Sequence, residues 1–219
     1  MRVFFFALFI ITILSVNYGC GSGGSSAPKT FCDTSSCLDD SIKFTGDHPL
    51  KPFAYISARD CKADTLSWGY KGMALKRQAT IADLLGKSVI INADYLKCYI
   101  RDTAYLWLVL NNCVSGRGYL VKLNFNNSDG VINGKAINST DPKFSIADNI
   151  VAWSDGGNIF IEDAMTGKTE QMTFGVDIGV DFNAIHDYID SVNITPGHIW
   201  AKVKIKKEWI VKEKDITLK

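Results

Sequence analysis

Short runs of apolar and aromatic residues, separated by turn-forming residues, recur along this chain and are typical of β-strands. The runs "YLWLVL", "IVAW" and "IFI" carry apolar residues at consecutive positions, as expected for strands that are buried on both faces. In "AKVKIK", Lys202, Lys204 and Lys206 instead alternate with Val203 and Ile205, which predicts a strand with one wet face at an end position. The 12 Phe, 8 Tyr and 5 Trp also favour pleated structure. We therefore predict an all-β fold of repeated antiparallel hairpins.

The stretch from Phe144 to Gly175 predicts three short strands joined by tight turns. "NIVAWS" and "NIFIED" flank "DGG", which is a hairpin turn signal. "MTGK" predicts a second turn, in which Gly167 is free to take a positive φ. "TEQMTF" then predicts the third strand.

A similar segment occurs upstream, which suggests an internal repeat. Lys97–Trp107 aligns with Lys143–Trp153 without a gap at an offset of 46 residues, and Lys, Ile, Asp and Trp coincide. Spacings of 39, 46 and 47 residues separate four tryptophans of similar local context: Trp68, Trp107, Trp153 and Trp200. Such spacings are typical of propeller blades. We therefore expect Trp107, Trp153 and Trp200 to occupy equivalent positions in successive small sheets.

One helix is predicted, in "TIADLLGK". Thr80 is placed to cap its first turn, Asp83 stands at the capping-box position, and Gly86 ends it. The helix is short, so we expect it to connect strands.

The segment Phe144–Gly175 resembles one blade of the TolB-like, WD40-related β-propellers. The residues that carry the resemblance are "FS", the "DGG" turn and the final "TGK". Members of this family are mostly binding scaffolds, so the resemblance implies a propeller-like domain that binds or scaffolds. The chain has room for about four blades, and a β-sandwich or an open stack of sheets is the alternative.

The N-terminus predicts export. Residues 1–19 have one basic residue, a short apolar run and small flanking residues, as in a secretory signal peptide. The apolar run is too short to cross a bilayer, which requires about 20 residues. "GC" followed by "GSGGSSAPKT" resembles a bacterial lipoprotein signal, which implies that Cys20 is lipidated. We expect residues 20–31 to be a flexible tether and residues 32–219 to be a single all-β domain on the outer membrane or periplasmic face of a bacterial cell envelope. A conventional secretory cleavage near the same place is the alternative.

The cysteine count agrees with export, where disulfides form. Besides Cys20, the chain has five candidates for disulfides: Cys32, Cys37, Cys61, Cys98 and Cys113. Cys32 and Cys37 are close enough in sequence to form a small loop. Because five is odd, one of Cys61, Cys98 and Cys113 should stay free or pair outside the chain. None of the three His lies beside a Cys, so we predict no metal site.

Charge and motifs exclude several classes of function. Removal of residues 1–19, whose only charged residue is Arg2, leaves 23 basic and 23 acidic residues, so nothing favours nucleic acid as a partner. The chain has no P-loop, dinucleotide fingerprint, HExxH motif or nucleophile elbow. We therefore predict a non-catalytic protein without a cofactor, whose partners are the membrane and an envelope protein or glycan.

Two other hypotheses stay open. An exported hydrolase or metal-dependent enzyme could use a cluster between Asp177 and Asp190, since carboxylates and imidazole suit divalent ions. The members of this cluster are Asp177, Asp181, His186, Asp187 and Asp190. The simpler interpretation is a solvated connection between sheets. A third hypothesis is a structural subunit of a larger envelope assembly, joined through the unpaired cysteine.

Overall fold

A computed structural model describes residues 37–38, 40–127, 130–133, 135–138 and 143–218, and this part of the chain is mainly β-structure. Its strands form four small sheets. Sheet 1 consists of β1 (Ser41–Thr45), β2 (Phe53–Arg59), β3 (Lys62–Gly69) and β4 (Arg77–Thr80). Sheet 2 consists of β5 (Lys97–Arg101), β6 (Tyr105–Asn111), β7 (Gly118–Asn124) and β8 (Gly130–Asn133).

The second half of the chain forms the other two sheets. Sheet 4 contains β9 (Phe144–Ile146), β13 (Ile189–Thr195), β14 (His198–Ile205) and β15 (Glu208–Asp215). These strands lie side by side in the order β15-β14-β13-β9. Sheet 3 has β10 (Ile150–Asp155), β11 (Asn158–Asp163) and β12 (Thr169–Thr173). One α-helix, α1 (Ile81–Leu85), and 3-10 turns at Ala93–Tyr95 and Ile185–Asp187 connect strands of this described region. The predicted all-β fold with several small antiparallel sheets is confirmed.

The four sheets pack face to face in numerical order, because three separate apolar cores join them in sequence. The first core lies between sheets 1 and 2 and includes Ile56 and Leu66 on one side and Leu108 on the other. The second core lies between sheets 2 and 3. The third core lies between sheets 3 and 4 and includes Ile161 and Val203. Each core is made by apolar side chains that alternate along the strands facing it.

The strand β6 explains why sheet 2 is buried on both faces. All seven residues of β6 are buried. Leu106, Leu108 and Leu110 point into the first core, and the residues between them, including Trp107 and Val109, point into the second. The continuous apolar run "YLWLVL" is therefore the signature of an inner sheet.

The outer faces of sheets 1 and 4 are wet. Tyr55 of β2 is 38% exposed, and Trp209 and Val211 of β15 are 41% and 54% exposed. On β14, the side chain of Lys202 lies on the solvent-exposed face, whereas its chain neighbours Ala201 and Val203 are buried on the other face. The predicted wet face of this strand is confirmed, but the edge of the sheet is β15, and Lys206 lies in the turn between the two strands.

The turns predicted after Phe144 are confirmed. Gly156 and Gly157 form the two-residue loop between β10 and β11 and both have positive φ, +53° and +81°. Gly167 has φ +75°. The carboxylate of Asp163 accepts hydrogen bonds from the backbone N–H groups of Met165 and Thr166, both at 2.8 Å, and so holds the second turn closed.

The first strand of the predicted hairpin repeat has a different partner in each copy. In sheet 2, β5 pairs antiparallel with β6, as the repeat predicts. The equivalent strand β9 does not pair with β10 but lies parallel to β13 in sheet 4, where Val192 donates to the carbonyl of Lys143 at 2.9 Å. Its place beside β10 is taken by residues 135–137, with Ile137 donating to the carbonyl of Ala152 at 3.1 Å. Phe144–Gly175 is therefore not one self-contained sheet.

The tryptophans are equivalent in two copies and not in the others. Trp107 and Trp153 both face the second core, where their rings stack at 6.4 Å between centroids. Trp200 lies on the outer face of sheet 4 because its neighbours Ile199 and Ala201 face the third core. Trp68 is buried in the first core. The prediction that Trp200 shares the surroundings of Trp107 and Trp153 is wrong.

The predicted helix is confirmed at both ends. Thr80 Oγ1 accepts from the N–H of Asp83 at 3.0 Å, and Gly86 ends the helix with φ +70°. Ile81, which is 1% exposed, anchors the helix in the first core.

Candidate functional site

The carboxylates proposed as an acidic cluster have separate structural roles. Asp177 accepts from the N–H of Gly179 at 2.9 Å, and Asp181 accepts from the N–H of Asn183 at 2.9 Å, so each closes its own turn. Asp187 lies in a 3-10 turn. These contacts favour the simpler interpretation, a solvated connection between sheets.

Of the other two members of the cluster, His186 packs against sheet 4 and Asp190 belongs to its strand β13. The ring of His186 meets Phe144 edge-on, with 5.0 Å between centroids. Asp190 accepts from Ser191 Oγ at 2.9 Å and lies near two lysines, Lys143 at 3.4 Å and Lys202 at 3.5 Å. The hydroxyl of Ser191, and then the two ammonium groups, hold the pKa of Asp190 below its usual value. In the described ranges, no three His, Cys, Asp or Glu side chains come together as metal ligands would.

The cysteines pair differently from the expectation. Cys37 forms a disulfide with Cys61, 24 residues away, so the suggested small loop between Cys32 and Cys37 is wrong. Cys61 lies in the tight turn between β2 and β3, with φ +61°. Cys113 is also disulfide-bonded, and Cys98 is a free thiol. Cys20 and Cys32 lie outside the described residues.

The free thiol is not a reactive group. Cys98 is partly buried beside the first core. Its desolvation raises the pKa of the thiol to about 12. At neutral pH it is therefore protonated and a poor nucleophile.

A buried carboxylate that the sequence did not reveal lies between sheets 2 and 3. Glu162 of β11 accepts from Lys122 Nζ at 2.7 Å and from Trp107 Nε1 at 3.1 Å, and Tyr105 Oη lies at 3.5 Å. The side chain of Glu162 is 7% exposed and that of Lys122 is 24% exposed. The ammonium of Lys122 also lies over the ring of Tyr105, 4.2 Å from its centroid. Because these partners satisfy the carboxylate, we interpret this group as a polar tie between the inner sheets.

A cleft of about 700 Å³ opens where the ends of sheets 1 and 2 meet. Its floor is backed by three buried core residues, Trp68, Leu123 and Phe125. The partly exposed Tyr70 and Leu84 form its walls. Tyr70 meets Phe125 edge-on, with 5.9 Å between centroids. The connection from β3 to β4 forms the rim and carries Met73 and Leu75, of which Leu75 is 80% exposed.

Backbone contacts hold two side chains of the cleft in place. Trp68 Nε1 donates to the carbonyl of Asn124 at 3.0 Å. Arg77 Nε donates to the carbonyl of Phe125 at 2.9 Å. These bonds tie sheet 1 to the end of β7 and orient the guanidinium, whose terminal nitrogens carry further donors.

The charge of the cleft is one-sided. Lys76 and Arg77 line it, and no acidic side chain does so among the described lining residues. Cations beside apolar walls suit a ligand that has an apolar body and a negative group. The cleft therefore places positive charge beside apolar surface.

No residue of this cleft was predicted to be functional from the sequence, in which Trp68 was singled out only as a marker of the repeat. The available signal was "WGYKGMALKRQ", in which aromatic residues, Met and Leu are interspersed with basic residues. Apolar residues exposed in a connection between strands are a pointer to recognition. The floor residue that follows β7, Phe125, is 48 residues further along, so the cleft itself needed the fold.

Comparison of the chain with protein-family models, curated proteins and solved structures finds no match. No helix in the described ranges combines the length and the apolar character needed to span a bilayer. The Cys37–Cys61 disulfide is consistent with an exported protein. The functional assignment therefore depends on the residues of the cleft and their chemistry.

Proposed function

We propose that this protein is an exported, lipid-anchored binding protein of a bacterial cell envelope, and that its β-sheet domain holds a ligand in the cleft between sheets 1 and 2. The observation that carries the proposal is a cleft with apolar walls, two cations and no carboxylate among its described lining residues. A binding role needs no catalytic constellation, only a preformed concave site with a few fixed polar groups. Arg77 is such a group because the carbonyl of Phe125 orients it.

The ligand class follows from the cleft. Tyr70, Met73 and Leu75, which are partly or fully exposed in the cleft, offer apolar surface to a hydrophobic body. Arg77 and Lys76 offer charge-assisted hydrogen bonds to a phosphate, sulfonate or carboxylate group. The ligand is therefore a small anionic amphiphile.

Two fluorescent probes of nearly the same shape test this assignment. The anionic dye 1-anilinonaphthalene-8-sulfonate and the uncharged N-phenyl-1-naphthylamine are titrated into the folded protein. Saturable binding with a clear preference for the anionic dye is expected, because only its sulfonate meets the two cations. Equal affinity for the two dyes, or no saturable binding of either, contradicts the proposal.

Variants assign the preference to the cleft. The double variant Lys76→Gln with Arg77→Gln should weaken binding of the anionic dye by about tenfold or more and leave the neutral dye unaffected. Lys51→Gln, which removes an exposed charge outside the cleft lining, is the matched control. Because Arg77 also bonds Phe125, Lys76→Gln alone is measured too, and circular dichroism checks that each variant is folded. A double variant that binds like the control would place the dye elsewhere.

The anchor depends on the residues around Cys20. If Cys20 carries acyl chains, each buried CH₂ contributes about 0.8 kcal/mol to membrane partitioning, and two or more chains anchor stably. Mass spectrometry of the mature protein should find an N-terminal Cys20 with acyl groups. An unmodified N-terminus at another residue contradicts the lipid anchor and leaves the cleft proposal intact.

We also propose that the four sheets form a propeller-like open stack, with each sheet a blade. The supports are the face-to-face order of the cores and the matched positions of Trp107 and Trp153. Stacked sheets lie about 10 Å apart, so spin labels at Tyr55 and Trp209 on the two outer faces should be separated by about 30 Å or more. A distance near one sheet spacing would instead indicate a closed ring.

A further inference from the structure

The strand β15 is an edge that sheet 4 leaves uncovered. It pairs with β14 along one side, and no described strand pairs along the other. All eight of its residues are exposed, including three consecutive apolar residues, Trp209, Ile210 and Val211, at 41%, 39% and 54%. An exposed edge strand that carries consecutive apolar residues normally pairs or is protected. We propose that β15 pairs antiparallel with β15 of a second copy of this chain.

The hairpin fixes which backbone groups are free for this pairing. Lys206 and Lys207 form the two-residue turn between Ile205 and Glu208, so Ile205 and Glu208 are the hydrogen-bonded pair that closes it. Even-numbered residues of β15 therefore direct their N–H and C=O groups to β14. Odd-numbered residues, from Trp209 to Asp215, direct theirs away from the sheet.

Because only the odd-numbered residues of β15 have outward backbone groups, only some alignments of the two strands about a two-fold axis are possible. Outward residues must pair with outward residues, so the axis passes through a residue position and not between two. With the axis at Ile210, the facing pairs within β15 are Ile210–Ile210, Trp209–Val211 and Glu208–Lys212. Every pair is apolar with apolar or opposite in charge, and cross-strand pairs of both kinds stabilise sheets.

The other registers are mismatched. An axis at Lys212 places two lysines opposite each other, and an axis at Val211 places Trp209 against Glu213. An axis at Trp209 leaves Glu208 facing Ile210. Of these registers, only the one centred on Ile210 matches every pair that it forms within β15, from Glu208 to Lys212.

The dimer joins two copies of sheet 4 into one continuous sheet. The interface is isologous, since each copy contributes the same strand, and so it closes at two copies. Lys212 is already held on the inner side of β15, where its Nζ donates to the carbonyl of Thr173 at 2.7 Å. The strand that enters the interface is therefore already ordered in the single copy. The cleft between sheets 1 and 2 is not part of the contact.

Cross-linking tests the register. In a Cys98→Ser background of the mature chain, Ile210→Cys should form a disulfide-linked dimer on mild oxidation, because the two cysteines face each other at the axis. Lys212→Cys is the matched control, since its two copies lie about four residues apart along the strand direction, or about 13 Å. A non-reducing gel in which position 212 links as readily as 210 overturns the register.

Charge exchange tests the interaction itself by sedimentation velocity. Glu208→Lys places like charges in two symmetric pairs and should weaken dimerisation about tenfold. The double variant Glu208→Lys with Lys212→Glu restores both pairs and should recover the dimer. All these residues are exposed, and thermal unfolding checks that each variant is folded. A wild type that stays monomeric over a wide concentration range, or a dimer indifferent to Glu208→Lys, overturns the proposal.

Discussion

Two strands of this protein, β6 in sheet 2 and β15 in sheet 4, have opposite environments although both belong to small four-stranded sheets. All seven residues of β6 are buried, and all eight residues of β15 are exposed. The difference comes from position in the stack, because sheet 2 has a neighbour on each face and β15 is the edge of the last sheet. In these two strands, the share of apolar residues follows the number of neighbouring sheets that cover the strand.

Polar groups differ between the two regions in the same way. Between the inner sheets, Glu162 is 7% exposed and is satisfied by Lys122 and Trp107. On sheet 4, Asp190 is 29% exposed and contacts two lysines that reach it from the surface. We expect substitutions to be costly in the inner sheets and mild at the end of the stack, and four measurements test this contrast.

The largest contrast is expected for isoleucine truncation. Ile161→Ala in sheet 3 removes a side chain that is 0% exposed and should lower the free energy of unfolding by about 2–5 kcal/mol. Ile210→Ala in β15, where the side chain is 39% exposed, should cost less than about 1 kcal/mol. Urea unfolding of dilute protein measures both. Similar losses would show that the stack does not separate inner from outer strands.

The next contrast concerns carboxylates. Glu162→Ala leaves the ammonium of Lys122 and the indole N–H of Trp107 without their acceptor and should cost about 2–3 kcal/mol. Asp190→Ala breaks partly exposed ion pairs and should cost less than about 1 kcal/mol. Glu162→Gln, which keeps an acceptor for Trp107, should fall between them. An inner variant as stable as the outer one would mean that Glu162 ties nothing.

A smaller contrast is expected at two hairpin glycines. Gly157 in sheet 3 has φ +81°, and a Cβ there would collide with the backbone carbonyl of Val176, so Gly157→Ala should cost about 2 kcal/mol. Gly197 in sheet 4 has open space around the same position, so Gly197→Ala should change stability by about 0.5 kcal/mol or less. Thermal unfolding compares the two. A tolerated Gly157→Ala would indicate that the chain at Val176 yields.

The smallest effect is a pH dependence from Cys98. Burial raises the pKa of this thiol to about 12 in the folded state, whereas an unfolded thiol titrates near about 8.5. The folded state therefore binds more protons between these values, and stability falls as pH rises above about 8.5. At about pH 9.5 the loss relative to pH 7 should be about 1 kcal/mol, and Cys98→Ser should abolish it. An equal loss in both proteins would assign it to other groups.

Much of the local structure follows from the sequence. The turns at Gly156–Gly157 and at Gly167, and the cap of α1 at Thr80, are set by residues within a few positions of each other. The wet face beside Lys202 follows from strict alternation. These features need no knowledge of distant contacts, and all were predicted.

The sequence did not predict which strands and residues meet over long distances. The three residues of β9 have the same local pattern as β5, and only the fold determines that they pair with β13 rather than β10. Trp200 has the predicted spacing, but its neighbours Ile199 and Ala201 take the core-facing positions of the strand, so Trp200 faces outward. The cleft joins Arg77 to Phe125 from another sheet. In each case the decisive partner is far away in the chain, beyond the reach of a local pattern.

The placement of β9 has a consequence for how the second half of the chain is completed. Residues 144–146 belong to sheet 4, yet their partner strand begins only at Ile189, after all of sheet 3 has been made. During synthesis, all residues of sheet 3 are therefore made before the segment in front of them can meet its partner strand. Once β13 is made, its pairing with β9 joins the segment before sheet 3 to the segment after it. A cut in the connection between Gly175 and Tyr188 would therefore leave two fragments that stay together through this strand pairing.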